Sequence, residues 1–344
     1  KRSSLRESLW QHCIRALEHG LRLGAHGLPL IGTGDWNDGM NAVGREGNGE
    51  SVWLAFFLWT VLGRFIPLCE KRGDADGAAR YRRVQGELRN AWERAFDGAW
   101  YLRGYYDGGE PLGGSRGPEA RIFLLPQAFS AFCGAAHAGE AVKTAFDRLY
   151  DREWQILRLF APPFGADAVK TGYLRGYCGG LRENGGQYTH GAVWGLRALL
   201  LSGMYEEGNV LRRALNPALR CTEERLAARY RIEPYCMAGD VYGAPGHAGR
   251  GGWSLYTGAA GWYLRVLCED WLGFRREGDH FSVYPHGCGD CAYTVRICGT
   301  EYRVEIRQGK DDRCVLDGKP SANCFPLDKK KHLLQISVDL PAFL

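Results

Sequence analysis

A mainly α-helical chain closed by a small antiparallel β-module is what the 344-residue sequence predicts, and three observations carry that expectation. Apolar residues recur at three-and-four spacing through most of the first 275 positions. The strand-like stretches before that point, Trp100–Arg103 and Ala120–Phe123, are few and short, which argues against alternating βαβ units. Past residue 276 the texture changes to alternation of apolar and polar residues broken by glycine turns. Two domains are therefore expected, a helical one over residues 1–275 and a sheet domain over residues 276–344.

Taken in chain order, Leu5, Leu9, Cys13, Ile14, Leu17 and Leu21 place one apolar face on a helix over residues 4–22. Residues 32–44, Gly-Thr-Gly-Asp-Trp-Asn-Asp-Gly-Met-Asn-Ala-Val-Gly, read as a polar loop, because Gly, Asn and Asp favour turns and compete for backbone hydrogen bonds. Residues 51–68 are apolar nearly all round and read as a helix enclosed by neighbours; Arg64 makes them a poor membrane span. Further helices are expected over residues 75–97, 126–135, 139–151, 190–204, 209–217, 221–230 and 255–271, separated by loops rich in Gly and Pro. Phe281–Tyr284, Ala292–Ile297 and Tyr302–Arg307 then alternate as antiparallel strands.

Composition narrows the function classes. A hydrophobic content of 45% supports a proper core, and a net charge of +5 with no basic block beyond Lys329–Lys331 argues against a nucleic-acid partner. The 12 cysteines are scattered, with no secretory leader or membrane-spanning run, so reduced thiols and a cytoplasmic location are expected. Cys288 and Cys291 form one Cys-x-x-Cys near His286 and Cys298 without the second pair of a structural zinc site, so no metal is expected. The chain opens directly into an amphipathic helix without an initiator Met, as a piece of a longer polypeptide would.

Besides residues 32–44, three loops are dense in groups that bind polar ligands: Arg182–His190, Glu233–Trp253 and Tyr256–Gly258. Each lies just before an apolar helical pattern, which points backbone N–H groups at the occupant of a cleft and favours an anion. The mixture of carboxylates, amides, aromatic rings and glycines suits a sugar, whose hydroxyls need donors and acceptors while its C–H faces lie on rings. Taken singly, each residue has a structural alternative. Asp35 or Asp38 fits a turn or a helix cap, His190 a satisfied histidine at a helix start, and Thr257 the cap of the last helix. Arg250 fits an anchor for its loop through carbonyls. The tryptophans at 53, 59, 194 and 262 read as core.

Together, Gly34–Asn41, Glu50–Trp53, Glu183–His190, Glu233–Tyr235, Gly249–Trp253 and Tyr256–Gly258 resemble the inverting phosphorylases of glycoside hydrolase family 94, in order and over nearly the whole chain. That family includes cellobiose and chitobiose phosphorylases, 1,2-β-oligoglucan phosphorylases and the C-terminal region of cyclic β-1,2-glucan synthases; the wording of the loops is most similar to the β-1,2-glucan branch. The resemblance implies an (α/α)6 barrel followed by the β-module. Such a barrel needs about twelve helices, and eight or nine are visible, so the resemblance also implies preceding barrel helices, a β-sandwich and a phosphate-binding arginine upstream.

By the same resemblance Asp38 is the general acid, Asp35 and Trp36 line the donor-sugar subsite, and Glu183 and Tyr188 face the acceptor. His190, Thr257 and Gly258 match the phosphate-binding positions. The substrates implied are a β-glucan oligosaccharide and inorganic phosphate, with no cofactor. A homodimer is a further expectation, as is a cytoplasmic setting or the cytoplasmic portion of a membrane-bound synthase. One acid suffices for this chemistry, since phosphate is already an anionic nucleophile and an inverting hydrolase alone needs a base to activate water. Asp38 is expected to hold its proton through enclosure and through the negative charge of Asp35 and phosphate, and His190 to bind phosphate with charge assistance when protonated.

Overall fold

The structure is a computed structural model that describes residues 6–339. The start of the expected first helix, with Leu5, lies outside the described residues, as do the outer ends of both expected domains. Ten helices occur among them: α1 (Leu9–Gly20), α2 (Val52–Lys71), α3 (Ala75–Arg94), α4 (Leu124–Phe132), α5 (Ala138–Leu149), α6 (Thr189–Leu201), α7 (Tyr205–Leu215), α8 (Pro217–Arg220), α9 (Glu224–Tyr230) and α10 (Thr257–Val266). Ser8 starts α1 through a reciprocal capping box with Gln11, and Ser51 and Asp74 cap α2 and α3.

The helices form antiparallel hairpins in two layers. Short turns at residues 72–74, 133–137 and 202–204 join α2 to α3, α4 to α5 and α6 to α7, and the first member of each pair packs beside the first member of the next. The inner row is therefore α2, α4, α6, α10. Its helices are apolar on most sides, whereas α3, α5 and α7 bury one face and carry charges on the other. Each second helix returns the chain to the end where it began, so the long connections 21–51, 95–123, 150–188 and 216–256 all gather at the N-terminal end of the inner row. The core between the layers is built on Phe56, Leu62, Trp92, Tyr101, Phe123 and Phe160, each almost fully buried and each contributing about 2–3 kcal/mol of transfer free energy.

Three expectations are corrected here. α2 is not enclosed all round: Phe57 and Leu68 are 44% and 49% exposed. It stands at the end of the inner row with α4 on one flank, and an apolar groove of about 760 Å³ opens between it and α1. By length and composition α2 is apolar enough to cross a membrane, yet half of that stretch is buried in the structure. The expected helix 255–271 ends at Val266 and continues as a π-type turn, Leu267–Trp271, where buried Asp270 meets Arg197 at 3.2 Å.

The β-module is mixed rather than antiparallel. Strand Thr300–Gln308 pairs antiparallel with Cys291–Ile297 but parallel with Lys331–Val338. Parallel neighbours need a crossover of a dozen or more residues, and positions 309–330 supply it while placing Arg313–Leu316 antiparallel on the far side of Lys331–Val338. Phe281, Tyr302, Val304, Ile306, Phe325 and Leu334 form a core distinct from that of the helices.

Candidate carbohydrate and phosphate cleft

The acid-bearing loop is held from below before it presents anything to a ligand. Glu50, 2% exposed, accepts hydrogen bonds at Oε1 from the backbone N–H of His26 (3.0 Å) and Leu28 (3.1 Å), which clamps the approach to residues 32–44. Asp35 has a carboxylate with no solvent exposure. Its Oδ1 accepts from Asn37 N–H at 2.9 Å and from Arg103 Nη2 at 2.5 Å, and its Oδ2 accepts from Ser51 Oγ at 2.7 Å. Ser51 Oγ in turn accepts from Arg103 Nη1 at 3.1 Å and from Leu54 N–H at 3.0 Å. The structural alternative thus describes Asp35: it shapes the turn, and both carboxylate oxygens accept hydrogen bonds from within the protein. Asp35, expected to line the donor-sugar subsite, therefore lies behind the cleft and positions the turn that carries Trp36 and Asp38.

That anchored turn delivers Trp36 and Asp38. Asp38 begins a short 3₁₀ turn, Asp38–Met40, and is exposed rather than enclosed; Gly34 at φ +127° folds the chain back so closely that a Cβ there would lie 3.0 Å from the Asp38 Cα. Asp35, neutralised by Arg103, brings no free negative charge toward it. The Tyr173 hydroxyl lies against the Asp38 carboxylate, and burial followed by that contact pushes it up to about 12. Gly172, at φ +104°, lets the Tyr173 segment pass over the acid turn; a Cβ there would fall 2.2 Å from Asn41 Oδ1 and 2.8 Å from the Gly39 carbonyl oxygen.

Trp36, Asp38, Glu183, Tyr188, His190, Tyr256, Gly258 and Ala259 line one cleft of about 260 Å³ at the N-termini of α6 and α10. Trp36 donates its indole N–H to His190 Nδ1 at 3.0 Å and meets the edge of Tyr188 at 5.1 Å between centroids. Trp194, on α6, backs both rings. Since Nδ1 is the acceptor, the neutral His190 ring carries its proton on Nε2. Burial pushes the His190 imidazole down to about 4, so it is neutral near pH 7 and the expected charge assistance is replaced by a neutral N–H donor. Thr257 and Gly258 are exposed at the first turn of α10; Thr257 makes no side-chain cap, its helix being entered from Tyr256.

The remaining wall is tied together by Asp240. Strand Asp240–Val241 pairs with Gln187–Tyr188, and the Asp240 carboxylate, 3% exposed as a residue, accepts from Arg182 N–H at 3.0 Å and from the Trp253 amide. Tyr188 and Tyr256 share a hydroxyl–hydroxyl bond of 2.9 Å. Glu183, expected to face the acceptor, shares the cleft with Asp38, so two carboxylates line it. Burial, with Asp38 and Asp240 adding to it, pushes the Glu183 carboxyl up, and its Oε2 is buried without a hydrogen-bond partner. Arg182 stands 3.8 Å from it and stacks over Tyr177 and Trp253. The loop anchor assigned to Arg250 is supplied instead by Arg229, which donates to the carbonyl oxygens of Ala248 (2.8 Å) and Gly246.

Of the residues singled out from sequence, seven thus gather at this cleft or its rim and Asp35 lies behind it. Tyr256, Tyr173, Arg103 and Ser51 were given no role, although Tyr256 and Ser51 stand in the quoted motifs. Tyr256 adjoins Thr257 and was within reach of motif reading; the others owe their place to contacts between distant segments. Among the described residues no group of three or more His, Cys, Asp or Glu side chains is placed to hold a metal ion.

Paired helices that collect their long loops at one end, with carboxylates and aromatic rings around a small polar cleft there, define a carbohydrate-active helical domain. The chain belongs to the glycosyl hydrolase 94 superfamily, whose catalytic-domain model matches residues 3–273. It is 42% identical over 306 residues to the cyclic beta-(1,2)-glucan synthase NdvB of Rhizobium meliloti, covering 87% of this chain and 11% of that protein. It is 29% identical to solabiose phosphorylase of Paenibacillus borealis, covering 96% of this chain and 45% of the other. It therefore spans less than half the length of these relatives. Among solved structures a sialidase superposes with a TM-score of 0.52 at 12% identity, over 80% of this chain and 25% of the other, a likeness of fold alone.

Proposed function

We propose that this chain carries out inverting phosphorolysis of a β-linked glucan, with β-1,2 linkages favoured, releasing α-glucose 1-phosphate and a shortened acceptor. The observation that carries the reading is the convergence of Asp38, Trp36, Glu183, Tyr188, His190 and Gly258 from three separate segments on one cleft. Asp38 donates its proton to the glycosidic oxygen as a phosphate oxygen attacks the anomeric carbon from the opposite face; the C–O bond to the acceptor breaks and configuration inverts. His190 Nε2–H, the Thr257 hydroxyl and the open N–H groups at the start of α10 hold the phosphate. Trp36 offers a ring face to the donor sugar, and Glu183, whose raised pKa favours the protonated carboxyl, hydrogen-bonds a sugar hydroxyl on the acceptor side together with Tyr188. The hairpins are read as the later part of an (α/α)6 barrel whose earlier helices belong to the same polypeptide.

The 42% identity to a cyclic β-1,2-glucan synthase favours a second setting for the same chemistry: a domain that trims a growing β-1,2-glucan and so controls its length. A glycan-binding fragment without turnover is the remaining alternative. The test measures α-glucose 1-phosphate released from β-1,2-glucooligosaccharides, with cellobiose and laminaribiose in parallel, with and without phosphate, using the intact gene product and its Asp38→Asn variant. Phosphate-dependent product that vanishes in the variant is the expected result. Glucose released without phosphate would mean hydrolysis with Glu183 as base, and binding without product would sink the enzyme reading.

A further inference from the structure

The Cys-x-x-Cys at the start of the β-module lies outside the cleft and is not used by the chemistry above. Cys288 is 1% exposed and packs in the core of the module with Phe281, Val283 and Tyr302, while Cys291 is only partly buried against the same core. The two thiols are hydrogen-bonded to each other across Gly289 and Asp290. Asp290 is occupied by Arg307 at 3.5 Å and by the Gln308 N–H at 2.8 Å, and Cys291 pairs with Ile306 in the sheet, so the segment that carries the two thiols is tied to the neighbouring strand. The turn also seats the module on the helices: Asn209 Nδ2 donates to the Gly287 carbonyl oxygen at 3.2 Å, Trp271 Nε1 donates to Asn209 Oδ1 at 3.1 Å, and His286 N–H donates to the Trp271 carbonyl oxygen at 3.3 Å.

We propose that Cys288 and Cys291 form a redox-active dithiol that is oxidised by low-molecular-weight disulfides, with the more exposed Cys291 as the attacking sulfur and the buried Cys288 as the resolving one. The polarity of the pair follows from its surroundings. Cys291 is drawn down by the hydrogen bond it receives from Cys288, against burial and the nearby Asp290, which push it up, and Arg307 adds a smaller downward pull; Cys288 is pushed up by the same bond and by burial. The Cys291 thiolate attacks one sulfur of oxidised glutathione, which releases one glutathione thiolate and leaves the other glutathione joined to Cys291. Cys288 then loses its proton to solvent and attacks the Cys291 sulfur, expelling the second glutathione thiolate. Two protein thiols become one disulfide and one glutathione disulfide becomes two glutathione thiols, so electrons balance. The bond closes the turn that docks the module on α7 and Trp271, and it is expected to slow proteolysis within residues 276–338.

The intact protein is equilibrated in glutathione buffers of increasing oxidised fraction, quenched by alkylation, and its cysteines are mapped by mass spectrometry. Expected in the wild type is joint loss of alkylation at Cys288 and Cys291 with no glutathione retained there. Cys288→Ser should accumulate glutathione on Cys291, and Cys291→Ser should leave Cys288 reduced and alkylated only after denaturation. The proposal is overturned if the wild-type pair stays alkylated while the exposed Cys178, Cys298 and Cys324 take up glutathione, or if Cys291→Ser takes glutathione at Cys288 as readily as Cys288→Ser does at Cys291.

Discussion

The indole N–H of Trp36 donates to Nδ1 of His190 across 3.0 Å, joining two residues 154 positions apart. One bond thereby links the acid turn to the start of α6 and sets which nitrogen of the imidazole carries the proton. Positioning of the Asp38 turn and of the His190 ring is coupled through it.

Replacing Trp36 with Phe keeps a ring in place and removes that donor. His190 is then free to change tautomer, and the expected effect is a rise of about fivefold to tenfold in KM for phosphate, matching the roughly 1 kcal/mol of one net hydrogen bond. Initial rates at varied phosphate and fixed glucan measure it. An unchanged phosphate KM would separate the tautomer from anion binding.

His190 also makes stability depend on pH. Its folded value lies near 4, below the ordinary 6.5, so the unfolded chain binds more protons between these values. The contribution is present above about pH 6.5 and is lost as pH falls toward 4. Allowing for partial solvent access to the ring, it amounts to about 2 kcal/mol. Urea melts at pH 7 and pH 5 should differ more in the wild type than in His190→Gln; parallel losses would contradict the assignment.

The buried Arg103–Asp35 pair predicts an asymmetry between single and double variants. Arg103→Met leaves the Asp35 carboxylate buried without its cation and should cost about 3–5 kcal/mol. Asp35→Asn combined with Arg103→Met removes both charges and should recover part of that loss. Denaturant melts of the two single variants and the double variant form the cycle that checks it.

Gly172→Ala places a methyl group against Asn41 and the Gly39 carbonyl at a backbone conformation that alanine resists. The nearest yielding element is the Asp38 turn. Turnover should fall about tenfold or more while the thermal midpoint shifts only a few degrees, since a misplaced acid costs more in rate than in folding. Calorimetry beside steady-state rates tests this, and equal losses in both would point to general unfolding.

Helix existence was legible because periodicity and caps are local: α2 to α7 begin and end within a few residues of where their apolar spacing, Ser51 and Asp74 place them. The loops at 32–44, 182–190 and 256–258 were legible for a related reason, since glycines, amides and carboxylates massed before apolar helices have few structural uses. The inward hydrogen bonds of Asp35 were not legible, because its sequence neighbours are those of a ligand-facing residue. Its cation, Arg103, arrives from the loop after α3, 68 positions along the chain. The parallel pairing of Thr300–Gln308 with Lys331–Val338 escaped for a similar reason: alternation reports which face of a strand is buried and says nothing of its neighbour's direction.

By itself the sequence determined the order of helices, the change to β-structure after residue 276 and the four polar segments that mark the family, because each rests on spacing within a single element. Only the tertiary structure decided that Asp35 turns inward, that His190 is a neutral Nε2–H donor, that Glu183 shares the cleft with Asp38 and that α2 has an open flank. These depend on burial and on partners dozens of residues away, and desolvation and ion pairing exist only once distant segments have packed.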